Sequence, residues 1–263
     1  VGRSAHRKGA LFIVTQENSN YYDRSGFVRL AEVENRHFWF IGRKRLICWA
    51  IGRYFPSITS FCDAGCGTGA ILRTIEREFP DVKTVGLDIY PEGLEIARRS
   101  LRRTTLLHGD VLALPSPSDW DAIGAFDVLE HIPDDEAALR GIAMALKPRG
   151  GLILTVPQHP ALWSAADEIG HHQRRYERHE LIGKVERAGF RILRLTSFVS
   201  FLLPVLWLNR RRVSSAEDAF DELRLSRPLN LLFGATLSAE RGLIRAGVSL
   251  PAGGSLLLIG AKA

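Results

Sequence analysis

Residues Phe61-Cys62-Asp63-Ala64-Gly65-Cys66-Gly67-Thr68-Gly69 run from an apolar strand through an acid into three alternate glycines, and a helical pattern begins near Ala70. Glycine has no Cβ, so such a loop can turn tightly and let a ligand approach the backbone at the carboxyl edge of an open α/β sheet. A dinucleotide fingerprint spaces its glycines G-x-G-x-x-G, with a pyrophosphate over the helix N-terminus. Here the third glycine comes one residue early and an acid precedes the first. An acid in that place suits a cationic ligand better than a pyrophosphate.

Outward from this loop the chain alternates strand and helix signals. Apolar runs at Ser60–Ala64, Thr84–Leu87, Thr105–Leu107, Ala122–Phe126 and Leu152–Val156 are separated by helical stretches such as Pro91–Leu101, with proline at its first position, and Asp134–Leu146. Strand, helix, strand at this spacing predicts a parallel sheet covered on both faces. Glu180–Ala188 reads as a helix closed by Gly189, and Phe190–Phe198 and Ser255–Ala261 as a closing pair at an antiparallel edge. The stretch between these two strands is too long for a hairpin loop and is read as a helical insertion. The expected organisation is an extension over 1–20, a helical lid over 21–56, a core over 57–199 and 255–263, and the insertion over 200–254. The fold class is doubly wound α/β, a mostly parallel seven-stranded sheet.

Composition narrows the setting. With 263 residues and 46% apolar content the chain can bury a sizeable core. The net charge of +6 suits an anionic substrate, a membrane surface or nucleic acid about equally. Cys48, Cys62 and Cys66 are odd in number and not spaced as a disulfide scaffold, and Cys62-x3-Cys66 alone lacks enough ligands for zinc, so small buried residues in a reducing, cytoplasmic setting is the expectation and no metal is assigned. No stretch reaches the roughly 18 to 20 uncharged apolar residues of a spanning helix.

Three more segments carry acids at strand ends. Val85-Gly86-Leu87-Asp88 ends the second strand, where a carboxylate can accept both hydroxyls of a ribose; alone it would read as an N-cap. In His108-Gly109-Asp110-Val111, Asp110 can accept from an adenine amino group while Val111 packs on the ring; an ordinary turn is the plainer reading. Phe126-Asp127-Val128-Leu129-Glu130-His131-Ile132-Pro133 follows the strand beside the glycine loop.

Together these four segments, over about Phe61 to Phe198, resemble the class I S-adenosylmethionine-dependent methyltransferases, particularly the small-molecule branch with the ubiquinone and menaquinone biosynthetic enzymes. The resemblance implies S-adenosylmethionine as cofactor, its methionine end held by Asp63, Gly65, Gly67 and Gly69, its ribose by Asp88 with Ile89 alongside, its adenine framed by Asp110 and Val111, and Asp127 beside the sulfur. It implies methyl transfer to an oxygen or carbon of a small acceptor. Two flanking pieces, Glu34–Arg45 (ENRHFWFIGRKR) and Pro157–Tyr176 (PQHPALWSAADEIGHHQRRY), are similar to a narrower group of bacterial methyltransferases and imply no particular substrate.

His131, next to the expected methyl position, is the first candidate for a general base, because imidazole titrates near neutrality; a helix-capping or core histidine is the equal alternative. His171, His172 and His159 are further candidates from the loop after the fifth strand. Arg174 and Arg175, with Tyr176, can hold a carboxylate or phosphate of the acceptor, or can form a solvated ion-pair surface with Glu177 and Glu180. Trp39 and Phe40 can stack on a ligand ring or belong to the core. Leu195–Leu208 (LTSFVSFLLPVLWL) is uncharged and is followed by Asn209-Arg210-Arg211-Arg212, so it is either a buried helix of the insertion or a segment lying in a membrane's headgroup region, at the inner membrane face, which would make the acceptor lipid-linked. A nucleic-acid methyltransferase is disfavoured because Glu130-His131-Ile132 stands where base-amino methylation uses an Asn/Asp-Pro-Pro-aromatic motif. A non-catalytic cofactor-binding accessory protein remains compatible with the fold.

Overall fold

The computed structural model describes residues 24–115, 118–210 and 225–263. The extension expected over 1–20, residues 211–224 of the insertion, and with them Arg211 and Arg212, lie outside the described residues.

Seven strands form one sheet in the order β3-β2-β1-β4-β5-β7-β6. They are β1 (Ser60–Ala64), β2 (Lys83–Asp88), β3 (Thr105–His108), β4 (Trp120–Phe126), β5 (Leu146–Pro157), β6 (Phe190–Phe198) and β7 (Ser255–Lys262). β1 to β5 pair in parallel, whereas β7 pairs antiparallel with both β5 and β6. Only β7 is therefore reversed, and β6 at the edge runs with the other five. β5 also begins earlier than its apolar run: Leu146 pairs with Trp120, and a register shift between Trp120 and Ala122 accommodates the polar Lys147–Gly150 stretch. Pro148 and Arg149 are exposed between the buried Leu146 and Gly150, so the start of the strand carries no continuous apolar signal.

The helices are α1 (Arg24–Val33), α2 (Phe38–Tyr54), α3 (Ala70–Glu78), α4 (Pro91–Ser100), α5 (Asp135–Ala145), the single turn α6 (Ala165–Ile169), α7 (Arg178–Arg187), α8 (Leu203–Arg210) and α9 (Arg227–Arg245). Alternate residues of the central strands feed two cores, as a sheet buried on both faces requires. Phe61, Ala122, Ile153, Leu257 and Ile259 pack with Leu46, Ile47, Ile51 of α2, Leu72 and Ile75 of α3, and Leu237 of α9. Cys62, Ile123, Leu154, Leu256 and Leu258 pack with Leu139 and Ile142 of α5 and Leu181 and Val185 of α7.

The aromatic run His37–Phe40 starts α2: His37 is the N-cap, its ring nitrogen accepting from the Trp39 N–H. Two contacts tie the late helix α9 to earlier elements. Asn230 accepts from the Phe38 N–H at 2.8 Å and donates to the Arg36 carbonyl at 2.9 Å. The buried Glu240 carboxylate accepts three successive N–H groups, those of Val199, Ser200 and Phe201, at 2.6, 2.6 and 3.0 Å. Val199, β-branched and at φ 60°, would otherwise be strained in that turn; the carboxylate stabilises the left-handed backbone leading into α8. Among the described residues no helix is long and apolar enough to cross a membrane.

Candidate active site

The carboxyl ends of β1 to β5 meet at one edge, and the glycine loop shapes its centre. Gly65, Gly67 and Gly69 all lie at positive φ (88°, 52° and 75°), where a side chain is costly. They differ in surroundings. A Cβ on Gly65 would stand 2.4 Å from Val128 Cγ2 and one on Gly69 2.8 Å from Leu101 Cδ1, whereas one on Gly67 would meet nothing within 4 Å. Gly65 and Gly69 are thus glycine for packing, and Gly67 faces open space. The loop hangs on β2: the N–H groups of Gly65 and Cys66 donate to the Leu87 carbonyl, and that of Gly67 to Asp88 Oδ2 at 2.6 Å. Asp88 Oδ1 accepts from the Tyr90 N–H at 2.8 Å, so its carboxylate is held at the strand end with lone pairs to spare.

Asp63 is 1% exposed and its Oδ1 is buried without a hydrogen-bond partner. Burial pushes its carboxyl well above the usual range, against the pull of the Arg43 guanidinium and with a push from Asp88. Asp88 is raised too, chiefly by burial. Two desolvated carboxylates beside bare backbone favour positive charge in front of them. Ile89, exposed, and Val111, buried, flank this edge; Asp110 Oδ1 caps the short turn that follows by accepting from the Leu112 N–H at 2.9 Å.

Sequence reasoning did not single out the cation already present. Arg43 of α2 is 9% exposed and ion-pairs with Asp127, which sits at φ 58° just after β4. Its guanidinium lies 4.4 Å from the Trp39 ring centroid and 5.7 Å from that of Phe40, a cation–π position. Trp39 and Phe40 therefore hold Arg43. Burial lowers Arg43 to about 10, and the fields of Glu34, Asp63 and Glu130 raise it. One cation thus serves four acids. Glu34, also unforeseen, accepts from Thr68 Oγ1 at 2.5 Å and latches the α1–α2 turn to the glycine loop. The only sequence hint of either was their place in the ENRHFWFIGRKR piece.

Beyond Asp127 lies a second buried group. Glu130 is 0% exposed, neither carboxylate oxygen has a hydrogen-bond partner, and burial pushes it up to about 8. His131 is lowered to about 4 by burial and by the field of His172, whose ring centroid is 4.8 Å away, and so is neutral at pH 7. His172 Nδ1 lies 2.9 Å from Asp167 Oδ1. Ligand atoms of Glu130, His131 and His172 all fall within 4.8 Å of one another, close enough to surround a cation. His171, by contrast, is exposed, at φ 52°.

The expected anion-binding group is spent within the protein. Arg174 donates to the carbonyls of Ile132 and Pro133 and pairs with Asp135. Arg175, 5% exposed, donates to Asp167 and to the carbonyls of Gln158 and Gly254. Tyr176 is fully buried and its hydroxyl donates to Asp135 at 2.7 Å. These bonds fasten the loop after β5 and leave His159, at φ 62° and with Nε2 lacking a partner, beside a groove of about 650 Å³ lined by Leu162, Leu203, Pro204, Trp207 and Leu208.

A doubly wound sheet of this strand order, with an acid-lined glycine loop at its ligand edge, defines a domain built to receive a cationic nucleoside. The profile of the methyltransferase-domain family matches residues 43–195. The chain is 31% identical over 175 residues to the ubiquinone biosynthesis O-methyltransferase of Xanthomonas euvesicatoria, a match covering 59% of this chain and 71% of that one. It is 34% identical over 99 residues to the trans-aconitate 2-methyltransferase of Methylobacterium radiotolerans, covering 38% of each. Among solved structures, phosphoethanolamine N-methyltransferase 2 of Haemonchus contortus in complex with S-adenosylmethionine aligns with a TM-score of 0.63 at 17% identity, over 93% of this chain and 58% of that one. The chain belongs to the class I S-adenosylmethionine-dependent methyltransferases.

Proposed function

We propose that this methyltransferase alkylates an oxygen or carbon of a small lipophilic or lipid-linked acceptor. The observation that carries the reading is the groove of about 650 Å³ walled by Leu162, Leu203, Pro204, Trp207 and Leu208. One wall is the loop after β5, the strand beside β4, which ends at Phe126 and leads through Asp127 to His131. A groove walled mainly by apolar side chains suits a chain or ring system rather than a sugar or nucleotide, and His159 and Glu177 are its polar lining. The quinone-biosynthetic relative points the same way. With Arg174 and Arg175 committed within the protein, recognition of an acceptor carboxylate falls to neither.

In this reading Gly65, Gly67 and Gly69 take the methionine end of the cofactor, Asp63 faces its ammonium, and Asp88 accepts from its ribose hydroxyls. Ile89 and Val111 flank the adenine, and Arg43 meets the cofactor's carboxylate through the same guanidinium that Asp127 holds in place. The bound cofactor supplies a methyl group on a sulfonium, open to in-line attack. The chain's part is to align the acceptor and take its proton. Glu130, ionising near 8, and neutral His131 are the two groups of this segment that can take the acceptor's proton.

Two expectations follow. Because burial holds Asp63 and Asp88 above their usual range, a cation arriving beside them favours their charged forms. Cofactor binding is then expected to release protons and to tighten as pH rises, which calorimetry in buffers of different ionisation enthalpy reads directly. Equal apparent enthalpies in all buffers at pH 6 would remove the carboxylates from the site. For the chemistry, S-adenosylhomocysteine release should be fastest with a phenol or enol bearing a prenyl chain, slower without the chain, and absent with the matching amine. His131→Ala and Glu130→Gln should each lower kcat on the phenol by about 100-fold at unchanged cofactor affinity. The wild-type rate should climb with pH through a limb near 8. Equal rates on chained and chainless acceptors would refute the groove assignment.

A further inference from the structure

We infer that Glu130, His131 and His172 bind one divalent metal ion of the zinc class. The inference goes beyond the proton-taking role given above to Glu130 and His131, because with an ion bound both act as ligands, and binding can be measured without turnover.

The fold brings the three together from two loops. Glu130 and His131 lie in the short turn Leu129–His131 after β4, and His172 lies in the loop after β5, the neighbouring parallel strand. Hydrogen bonds fasten the loops to each other: the Gln173 N–H donates to the Glu130 carbonyl at 2.6 Å, and Arg174 donates to the carbonyls of Ile132 and Pro133. One ligand atom from each residue then falls within 4.8 Å of the other two. Ligands about 2.0–2.2 Å from a tetrahedral ion stand roughly 3.5 Å apart, so closure requires a contraction on the order of 1 Å in the longest separation.

Glu130 creates the need for a cation. Its side chain is 0% exposed and neither oxygen has a hydrogen-bond partner. Arg43 and Arg175 act on it only through their fields, Arg43 being paired with Asp127 and Arg175 with Asp167. Protonation would not satisfy the group, because a buried carboxylic acid still holds a donor and an acceptor to be paired. An ion held between this carboxylate and two imidazoles compensates it directly.

The histidines are oriented as ligands are. A metal-binding histidine uses one ring nitrogen for the ion and gives the other to a carboxylate or carbonyl that fixes the ring. His172 Nδ1 lies 2.9 Å from Asp167 Oδ1, and Asp167, 1% exposed, is itself anchored by Arg175 Nη1 at 2.8 Å. His172 thus keeps Nε2 for a ligand bond. The backbone at Gly170 and His171 hydrogen-bonds to His131. Two imidazoles with one carboxylate select zinc or a similar transition metal over magnesium and calcium, which take oxygen ligands. Three protein ligands leave a fourth position for water or for an acceptor hydroxyl. The second use rests on the oxygen-acceptor reading; the site itself does not.

The test uses the full chain, stripped with a chelator and titrated with Zn2+ or Mg2+. Calorimetry should show one Zn2+ per chain and no binding of Mg2+ at the same concentration, and Co2+ should give the strong visible absorption of a four-coordinate site. Glu130→Gln and His172→Ala should each weaken Zn2+ binding more than about 100-fold, and Asp167→Asn, which loosens His172 without removing a ligand, about 10–100-fold. His179→Ala, at an exposed position of α7, should leave binding as it is. Unchanged affinity of His172→Ala for S-adenosylhomocysteine shows that this variant is folded. Absence of Zn2+ binding, or binding that Glu130→Gln and His172→Ala both leave within about threefold of wild type, overturns the inference. So does Mg2+ binding as tight as that of Zn2+, since imidazole ligation would then be excluded. A chain that takes Zn2+ through these residues yet methylates no hydroxyl acceptor would keep the site and remove the oxygen-acceptor reading.

Discussion

Asp88→Ala is expected to weaken binding of S-adenosylmethionine and S-adenosylhomocysteine by at least about 100-fold, with a smaller loss of stability. The wild-type carboxylate sits at the end of β2 and fixes the Gly67 and Tyr90 N–H groups. Hydrogen bonds to a charged group contribute about 1.5–3 kcal/mol each, so losing the two that a ribose makes accounts for two orders of magnitude or more. The freed N–H groups reach water, since both bonds are only partly buried, which limits the folding cost. Asp88→Asn separates the effects: it keeps an acceptor for one N–H and should preserve the melting temperature while still binding the cofactor poorly. Titration calorimetry on both variants decides the matter, and an affinity within about threefold of wild type for Asp88→Ala would take the ribose away from this strand end.

The second large effect is on stability. Arg43→Ala should destabilise the fold by about 3–5 kcal/mol at neutral pH, because removing one partner of a buried ion pair leaves its carboxylates uncompensated. Asp127 loses its contact, and Glu34, Asp63 and Glu130 lose the positive field that opposes their desolvation. The pH dependence has a definite sign. Folded-state pKa values raised above the unfolded range of roughly 4 mean that the folded state binds more protons, so stability falls as pH rises through that interval. Without Arg43 these groups move further up and the fall steepens. Urea denaturation should therefore show a smaller difference between Arg43→Ala and wild type at pH 5 than at pH 8. A difference that is constant with pH would mean that the guanidinium stabilises by packing on Trp39 and Phe40 alone.

Much of this architecture is legible locally. The glycine loop, the acid at the end of β2 and the strand–helix alternation are set by neighbours in sequence, and a parallel sheet buried on both faces writes itself as continuous apolar runs. β5 shows where that signal stops, since the polar Lys147-Pro148-Arg149 interrupts it between the buried Leu146 and the apolar run. The reversal of β7 alone, and its insertion between β5 and β6, is a matter of long-range pairing that no local pattern records.

The same division holds in the site. Asp63, Asp88 and the three glycines converge because one loop carries most of them. Arg43 and Glu34 belong to helical text in which charges ordinarily face water, and only the packing of α2 against the sheet takes them inside. Arg175 and Tyr176 fail in the opposite direction. Their residue types suit an anionic acceptor, but the loop after β5 folds back so that Tyr176 bridges to Gln158 and both side chains are consumed in holding it. Glu130 was visible in its segment, yet its significance comes from having no partner at zero exposure, which only the fold can show.

The open space in front of Gly67 separates two properties that usually fail together. Asparagine tolerates left-handed backbone better than other side-chain-bearing residues, so Gly67→Asn can keep the turn at φ 52° while its amide projects into the volume a ligand would take. Such a chain should melt near the wild-type temperature yet give no calorimetric signal with the nucleoside, providing an inert reference protein against which any cellular phenotype of this gene product can be assigned to methylation rather than to its mere presence.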